Sequence, residues 1–485
     1  MKPNIVIVMT DQQQASLRKG RGFALDTMPF LDSWAQEGTD FHCAYTSNPT
    51  CMPARVSMFS GRYPSATHVR SNANVEDAFY TEDLLDVVRK NGYLTALCGK
   101  NHSHRKPEDF DFHETNFHLG ANDLPYTRQE EKEFDAFLKT LKFKCSDAPS
   151  PFGLEAQLPY RNVSSAIRFL DQAARQDKSF FLWLSFAEPH NPYQVPEPYF
   201  DMFPPESLPR PAAARQDAAK KGERYQWLHK QWDSVYGNRA EEIIGRSRSN
   251  YCGMLRLIDD QFKRFIQALR QRNLEKDTVV VYLSDHGDYA GEYGLMRKGV
   301  DLPECLVNIP MIWKIPGGKS NGACQAAVSI VDLLPTLCDL LQTPVPAGVQ
   351  GKSLLPLLTG QDVEPEAYST AYAEVGYGGD YWEEGDTSPQ EQGCLPGDGS
   401  FNCLNPWTQS GQCRMVRRGK YKLQMDMRGN NYLYDLSADP QEVNNLWEDE
   451  RFRTVRDEMM QLLIGEMLRK TDVLPMPRGK LFVKI

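Results

Sequence analysis

Short apolar runs alternate with longer stretches whose apolar residues fall three or four apart, from the start of the chain to about residue 345. The runs Asn4–Met9, Tyr93–Cys98, Phe180–Phe186, Thr278–Leu283 and Ile309–Ile315 are dense in β-branched and aromatic residues, the pattern of strands buried on both faces. Between them Met28–Gly38, Thr81–Asn91, Val163–Arg175, Tyr251–Arg272 and Val331–Leu341 keep a helical period, most of them closed by Gly, Asn or a basic residue. This alternation predicts an α/β fold: a large, mainly parallel or mixed central sheet flanked by helices on both faces. After Gly360 the pattern changes. Cys413–Val416, Lys420–Met425 and Asn431–Tyr434 read as a short antiparallel sheet and Arg453–Leu468 as one long helix. The expected organisation is an N-terminal domain over 1–365 and a smaller C-terminal α+β domain over 366–485. A loop-rich insertion at about 376–412, dense in Gly, Asp, Pro and aromatics, is expected near the functional site.

Composition narrows the class. With 485 residues, 41% apolar and 25% charged, the chain is neither fibrous nor disordered. Its longest apolar runs, Ile5 to Met9 and Val279 to Leu283, fall far short of the roughly 18 residues of a membrane span, and no stretch resembles a signal peptide. The expectation is a cytoplasmic protein, periplasmic or secreted only if a leader has been trimmed. The net charge of −9 leaves no electrostatic footprint for nucleic acid or anionic membranes, and taken alone points to a neutral or cationic partner. Eleven cysteines without a CxxC pair read as mostly buried thiols.

The chemistry lies where the strands end. Asn4–Met9 runs into Thr10, Asp11 and Gln12; Tyr93–Cys98 into Gly99, Lys100, Asn101 and His102; Phe180–Phe186 into Glu188, Pro189 and His190; Thr278–Leu283 into Ser284, Asp285, His286, Gly287 and Asp288. The carboxyl ends of parallel strands form the ligand crevice, so these groups are expected to converge. An Asp after a strand is usually a turn or cap residue and a lone His usually structural; the coincidence over four strands favours a site. Asp11, Gln12, Asp285 and His286 offer oxygen-rich ligation with one imidazole, suited to a hard or borderline divalent cation. Lys100, His102, His190 and Lys298 add donors and proton carriers for an anion beside it, which describes hydrolysis of a charged ester.

Asn48 to Pro64 supplies a nucleophile. A helix predicted to start at Pro53 puts Cys51 at its N-terminus with Arg55 one turn in, where backbone N–H groups, helix dipole and guanidinium all favour an anion. Cys51-x-Pro53-x-Arg55 followed by Ser60-Gly61-Arg62 resembles the motif of the type I, formylglycine-dependent sulfatases of the alkaline phosphatase superfamily. The other segments occur in that family's order: Asn4 to Asp11, Gly99-Lys100-Asn101-His102, Pro189-His190-x-Pro192, Ser284 to Asp288, Lys298, Ser329–Thr336 and Leu433–Leu446.

The resemblance implies a sulfuric ester hydrolase in which a maturation enzyme oxidises Cys51 to formylglycine, whose hydrated aldehyde attacks sulfur. By the same resemblance Asp11, Gln12, Cys51, Asp285 and His286 hold one divalent ion, calcium first, with manganese or zinc as alternatives. Arg55 stabilises the attacking alkoxide, Lys100 and Lys298 grip the sulfate, His190 protonates the leaving alcohol and His102 takes the proton that expels sulfate. Many family members carry Asp and Asn where this chain has Gln12 and His286, a combination similar to the phosphonate monoester hydrolase branch. Phosphonate monoester or phosphodiester hydrolysis is therefore the alternative activity, and a sulfated-glycan binder without turnover a third reading. The expected substrate is a sulfated mono- or oligosaccharide of glycosaminoglycan type, or an aryl sulfate. His68, Arg70 and Asn72, soon after the Cys51 helix, and Tyr381 and Trp382 in the aromatic loop are the candidate substrate contacts.

Overall fold

The computed structural model describes residues 2–176, 178–393 and 401–472. Nine strands form the central sheet: Asn4–Asp11 (β1), Thr39–Tyr45 (β2), Leu94–Lys100 (β3), Phe112–Phe117 (β4), Gly120–Ala121 (β5), Phe180–Pro189 (β6), Thr278–Ser284 (β7), Met311–Lys314 (β8) and Gly322–Ser329 (β9). They lie in the order β5-β4-β3-β6-β1-β7-β8-β2-β9. From β4 to β7 every neighbouring pair is parallel, whereas β8 runs antiparallel to both β7 and β2. The sheet is thus mixed as well as mainly parallel. The small sheet, Thr370–Gly378 (β10), Gly411–Arg418 (β11), Tyr421–Asp426 (β12) and Asn431–Asp435 (β13), is antiparallel throughout.

The central strands are apolar on both faces because both faces are covered. Val6, Val8, Leu182 and Leu184 pack under the helices Pro29–Ala35, Leu158–Ala173 and Ala240–Gln271. On the other face Ile5, Ile7, Phe181, Trp183, Val279 and Val281 share a core with the helices Cys51–Ser60, Leu84–Lys90 and Leu333–Leu340. That core continues through Val416, Leu423 and Leu433 of the small sheet to Met459 and Leu463 of the helix Arg453–Lys470. No helix among the described residues is long and apolar enough to cross a membrane.

Strand register brings distant residues together. Ile5 faces Phe181 on one side and Val279 on the other, and the ladders end with Asp11 beside Pro189 and Thr10 beside Ser284. Pairing of Gly99 with Ser185 then sets Lys100 at the same edge. Gly99 is obligatory there: its φ is +103°, and a β-carbon would lie 2.0 Å from the Ser185 carbonyl oxygen.

Several elements depart from the expected pattern. Strands β2, β4 and β9 carry polar or small residues (Thr39, Asp40 and His42; His113, Glu114 and Asn116; Gln325) that hide their period. The helix predicted from Tyr251 begins at Ala240, where only Ile243 and Ile244 mark an apolar face. The helix predicted from Pro53 begins at Cys51; Pro53 sits in its first turn, where a missing N–H leaves no bond unmade.

Candidate active site

β1 leaves the sheet through a residue that few side chains tolerate. Gln12 has φ +70°, and both its backbone groups are pinned: its N–H donates to Asp285 Oδ1 at 3.0 Å and its carbonyl accepts from the Tyr251 hydroxyl at 2.7 Å. Its side chain is pinned too. Gln12 Nε2 donates to Asp288 Oδ2 at 2.6 Å, which leaves Oε1 to accept from Lys298 Nζ at 3.1 Å.

Cys51 opens its helix fully buried, with Sγ 3.3 Å from His286 Nε2, 3.0 Å from Lys298 Nζ and 3.7 Å from Asp11 Oδ1. One turn on, Arg55 is wholly buried between two carboxylates, Nη2 donating to Asp11 Oδ2 at 3.0 Å and Nε to Asp285 Oδ2 at 2.9 Å. Its Nη1 donates to Ser185 Oγ at 3.0 Å. The Lys100 ammonium donates to Asp11 and lies 2.9 Å from His118 Nε2. His118 in turn stacks on His190, with ring centroids 3.7 Å apart.

These charges decide protonation. Burial pushes the Asp11 carboxyl up, yet Lys100, His190, Arg55 and Lys298 together hold it well below the usual carboxylate range. Burial and Asp11 act to raise the Cys51 thiol, but Lys100, Lys298 and His286 outweigh them and leave it well below an ordinary thiol. Burial and Lys100 press His102 down to about 4, against the opposing pull of Cys51. Burial and Lys298 likewise hold His190 well below the usual histidine range.

One ligand atom from each of Asp11, Cys51, Asp285 and His286 falls within 4.8 Å of the others, all four residues buried. Two orientations suit a cation there. His286 Nδ1 lies 2.8 Å from the Gly287 carbonyl, to which it donates as Nδ1–H, so that Nε2 presents a lone pair to the cluster; the Asp288 carboxylate likewise turns the amide oxygen of Gln12 inward. In addition the Lys298 ammonium sits among Gln12 Oε1, Cys51 Sγ and His286 Nε2, a positive charge already held by these donors.

A cavity of about 780 Å³ opens over the cluster, bounded by Cys51, Lys298, His102 and His190 at its floor and by Gln390, Gly393 and Phe401 to Leu404 from the aromatic loop. Residues 394–400 of that loop lie outside the described residues. Of the expected substrate contacts only Asn72 lines this cavity, its Oδ1 accepting the Met52 N–H at 3.0 Å. The structure does not bring the other four there. His68 is exposed and stacks on Phe79, Arg70 lies against Gly378, and exposed Trp382 donates its N–H to Ser410 Oγ. Tyr381 packs under Arg224 and Arg428 and donates to Asp426, because guanidiniums and a carboxylate compete for its ring and hydroxyl. Sequence reasoning passed over His118, which follows β4, a strand with no apolar run. Asp288 stands in the same segment as Asp285, but nothing in the sequence marks it as the partner of Gln12.

A model of the sulfatase family matches residues 3–343. Over 96% of the chain there is 29% identity to an arylsulfatase of Clostridium perfringens, covering 95% of that protein. Among solved structures, the phosphonate monoester hydrolase of Agrobacterium radiobacter superposes with a TM-score of 0.77 at 22% identity, covering 97% of this chain and 96% of that one. A protein solved in complex with its substrate D-glucosamine-2-N,6-O-disulfate does so with a TM-score of 0.71 at 20% identity, covering 97% and 99%. The solved structures share the fold, and the matched span contains every residue of the buried cluster, from Asp11 to Lys298; this chain belongs to the sulfatase family and is a sulfuric ester hydrolase.

Proposed function

We propose that the enzyme removes sulfate from a sulfated carbohydrate through formylglycine generated from Cys51, beside one divalent cation held by Asp11, Gln12, Asp285, His286 and residue 51. The observation that carries this reading is the position of Cys51: buried at a helix N-terminus, within 3.3 Å of both His286 and Lys298, with Arg55 bridging the two carboxylates. An inert structural cysteine has no use for so many polar neighbours. The chemistry of the protein solved with glucosamine disulfate supports a sugar sulfate as the substrate class.

Formylglycine supplies, as its hydrate, two hydroxyls on one carbon, the first to displace the ester and the second to expel sulfate. A divalent cation supplies Lewis-acid charge next to residue 51. The remaining work belongs to the side chains. Arg55, fixed by Asp11 and Asp285, holds positive charge against the attacking oxygen; Lys100 and Lys298 hold sulfate oxygens. His190 delivers a proton to the departing alcohol oxygen. Its stacking on His118 keeps the two rings from being charged together, and the negative ester offsets the nearby lysines that disfavour its proton. His102, neutral at pH 7, is the base for the second hydroxyl. Calcium is the proposed ion on family resemblance; the imidazole of His286 also suits manganese or zinc.

Mass spectrometry of the peptide spanning Cys51, from protein made in its native host, should show the aldehyde; an unmodified thiol in active enzyme would overturn the mechanism. Gln12 and His286 favour one second reading, phosphonate or phosphate diester hydrolysis on the same residues. Parallel kinetics on an aryl sulfate and an aryl phosphonate decide between them, much faster turnover of the phosphonate reversing the assignment.

A further inference from the structure

The described wall of the cavity over Cys51 carries charge of one sign. Among its described lining residues Lys139, Lys142, Arg297 and Lys298 are cations, and none is an aspartate or glutamate. A protein with a net charge of −9 has acids to spare for its surfaces, so their absence from the described lining is a local property of the site. Lys298 serves the reacting ester. The other three have no part in that chemistry, and the Arg297 guanidinium donates to the backbone carbonyls of Phe401 and Phe143.

Arg297 is only 8% exposed, held edge-on to nothing acidic but over the rings of Trp232 and Phe401 at 5.2 and 5.3 Å. Its Nη2 donates at 3.1 Å to the Phe143 carbonyl, which also accepts from Asn191 Nδ2 at 2.8 Å. This clamp fixes an unusual corner. The helix Gln129–Leu141 ends in two successive residues with positive φ, Lys142 at +45° and Phe143 at +62°, neither of them glycine. Strained backbone persists where the surroundings over-determine it, and the two groups that do so here adjoin His190 and Lys298. The corner is thereby locked to the catalytic floor, with the exposed Lys142 and, one turn back, the exposed Lys139 at the cavity mouth.

We infer that the cavity takes a substrate with a second anionic group, a carboxylate or a further sulfate, gripped by Lys142 and Lys139 while the cleaved ester sits at residue 51. The inference rests on the carbohydrate-sulfatase reading and adds to it the charge of the sugar. Phe143, fixed beside the His118 and His190 rings, walls the space between the two anions.

The test compares kcat/KM for a monosulfated N-acetylglucosamine, whose only charge is the ester to be cleaved, the same sugar carrying a second sulfate, and a monosulfated disaccharide carrying a uronate, with 4-nitrophenyl sulfate run in parallel. Wild-type enzyme should prefer the doubly charged sugars, the carboxylate and sulfate arms showing which group the lysines accept. In Lys142→Met that preference should shrink about fivefold through KM, further in the double variant Lys139→Met/Lys142→Met, and be rescued by Lys142→Arg. Equal kcat/KM for singly and doubly charged sugars, or a preference untouched by both lysine variants, overturns the inference. If 4-nitrophenyl sulfate and all sugars go uncleaved, the hydrolytic reading is what fails. Calorimetric dissociation constants for the same sugars then judge the lysines alone: tighter binding of the doubly charged sugars, lost in the double variant, supports their role, and equal affinity refutes it.

Discussion

Arg55 is the residue on which the cluster's charge balance turns. It has no exposed surface and neutralises Asp11 and Asp285 at once, so Arg55→Met leaves buried Asp285 without its ion-pair partner and Asp11 with Lys100 alone. Removing one partner of a buried ion pair typically costs about 3–5 kcal/mol, and a loss of that size should appear in denaturant unfolding alongside activity below detection. Asp288 acts at one remove. Its carboxylate turns the Gln12 amide so that oxygen faces the donor cluster; Asp288→Asn lets that amide rotate, and the affinity for the activating metal should fall about 10–100-fold. Titrating activity against the free divalent cation separates this from a lowered kcat, which would persist at saturating metal. Asp11, Asp285, Cys51 and Arg55 were legible in the sequence because the first two stand at the end of a strand, Cys51 opens a helix and Arg55 follows it one turn on, where position alone implies direction. His118 was not: only the pairing of β4 with β3 brings it to Lys100. Tyr381 and Trp382 illustrate the opposite failure, since an aromatic in a glycine-rich loop looks equally like a sugar platform and like packing until its neighbours are known.

At the scale of elements, the five buried runs were readable because burial on both faces leaves an unbroken apolar stretch; β2, β4 and β9 were not, because Asp40 and His42, His113 and Glu114, and Gln325 interrupt theirs. Helix ends followed the same logic. Asp83 caps the helix Leu84–Lys90, its side chain accepting the Asp86 N–H at 3.1 Å, and is held by His104 Nε2 at 2.8 Å and by Arg105. Burial opposes its charge, but the hydrogen bonds from His104 and Arg105 prevail and bring its pKa down to about 2. A carboxyl depressed in the folded state contributes stability above its unfolded pKa that disappears as pH falls through the folded value. Asp83→Asn should therefore cost roughly 2 kcal/mol at pH 7, an amount that shrinks steadily below pH 4 and vanishes near pH 2. Urea titrations of both proteins at pH 7 and pH 3 measure the difference, and a constant gap between them would contradict the assignment.

For the molecule as a whole, the net charge of −9 gave the wrong sign for the partner because it averages over a surface the ligand never meets. Lys100 and Lys298 are buried, and buried charges are screened far less by salt than exposed ones. For a monosulfated substrate, KM should accordingly rise less than about threefold between 0.05 and 0.5 M salt; a steeper rise would mean that steering from the surface governs binding. The cations at the floor of the cavity have one more effect, on departure. Cleavage turns an ester with one negative charge into inorganic sulfate with two, leaving it among the same cations that drew the substrate in. The enzyme is built to hold its product more firmly than its substrate, so a rapid first turnover followed by a slower steady state, with inhibition by added sulfate, is the expected time course.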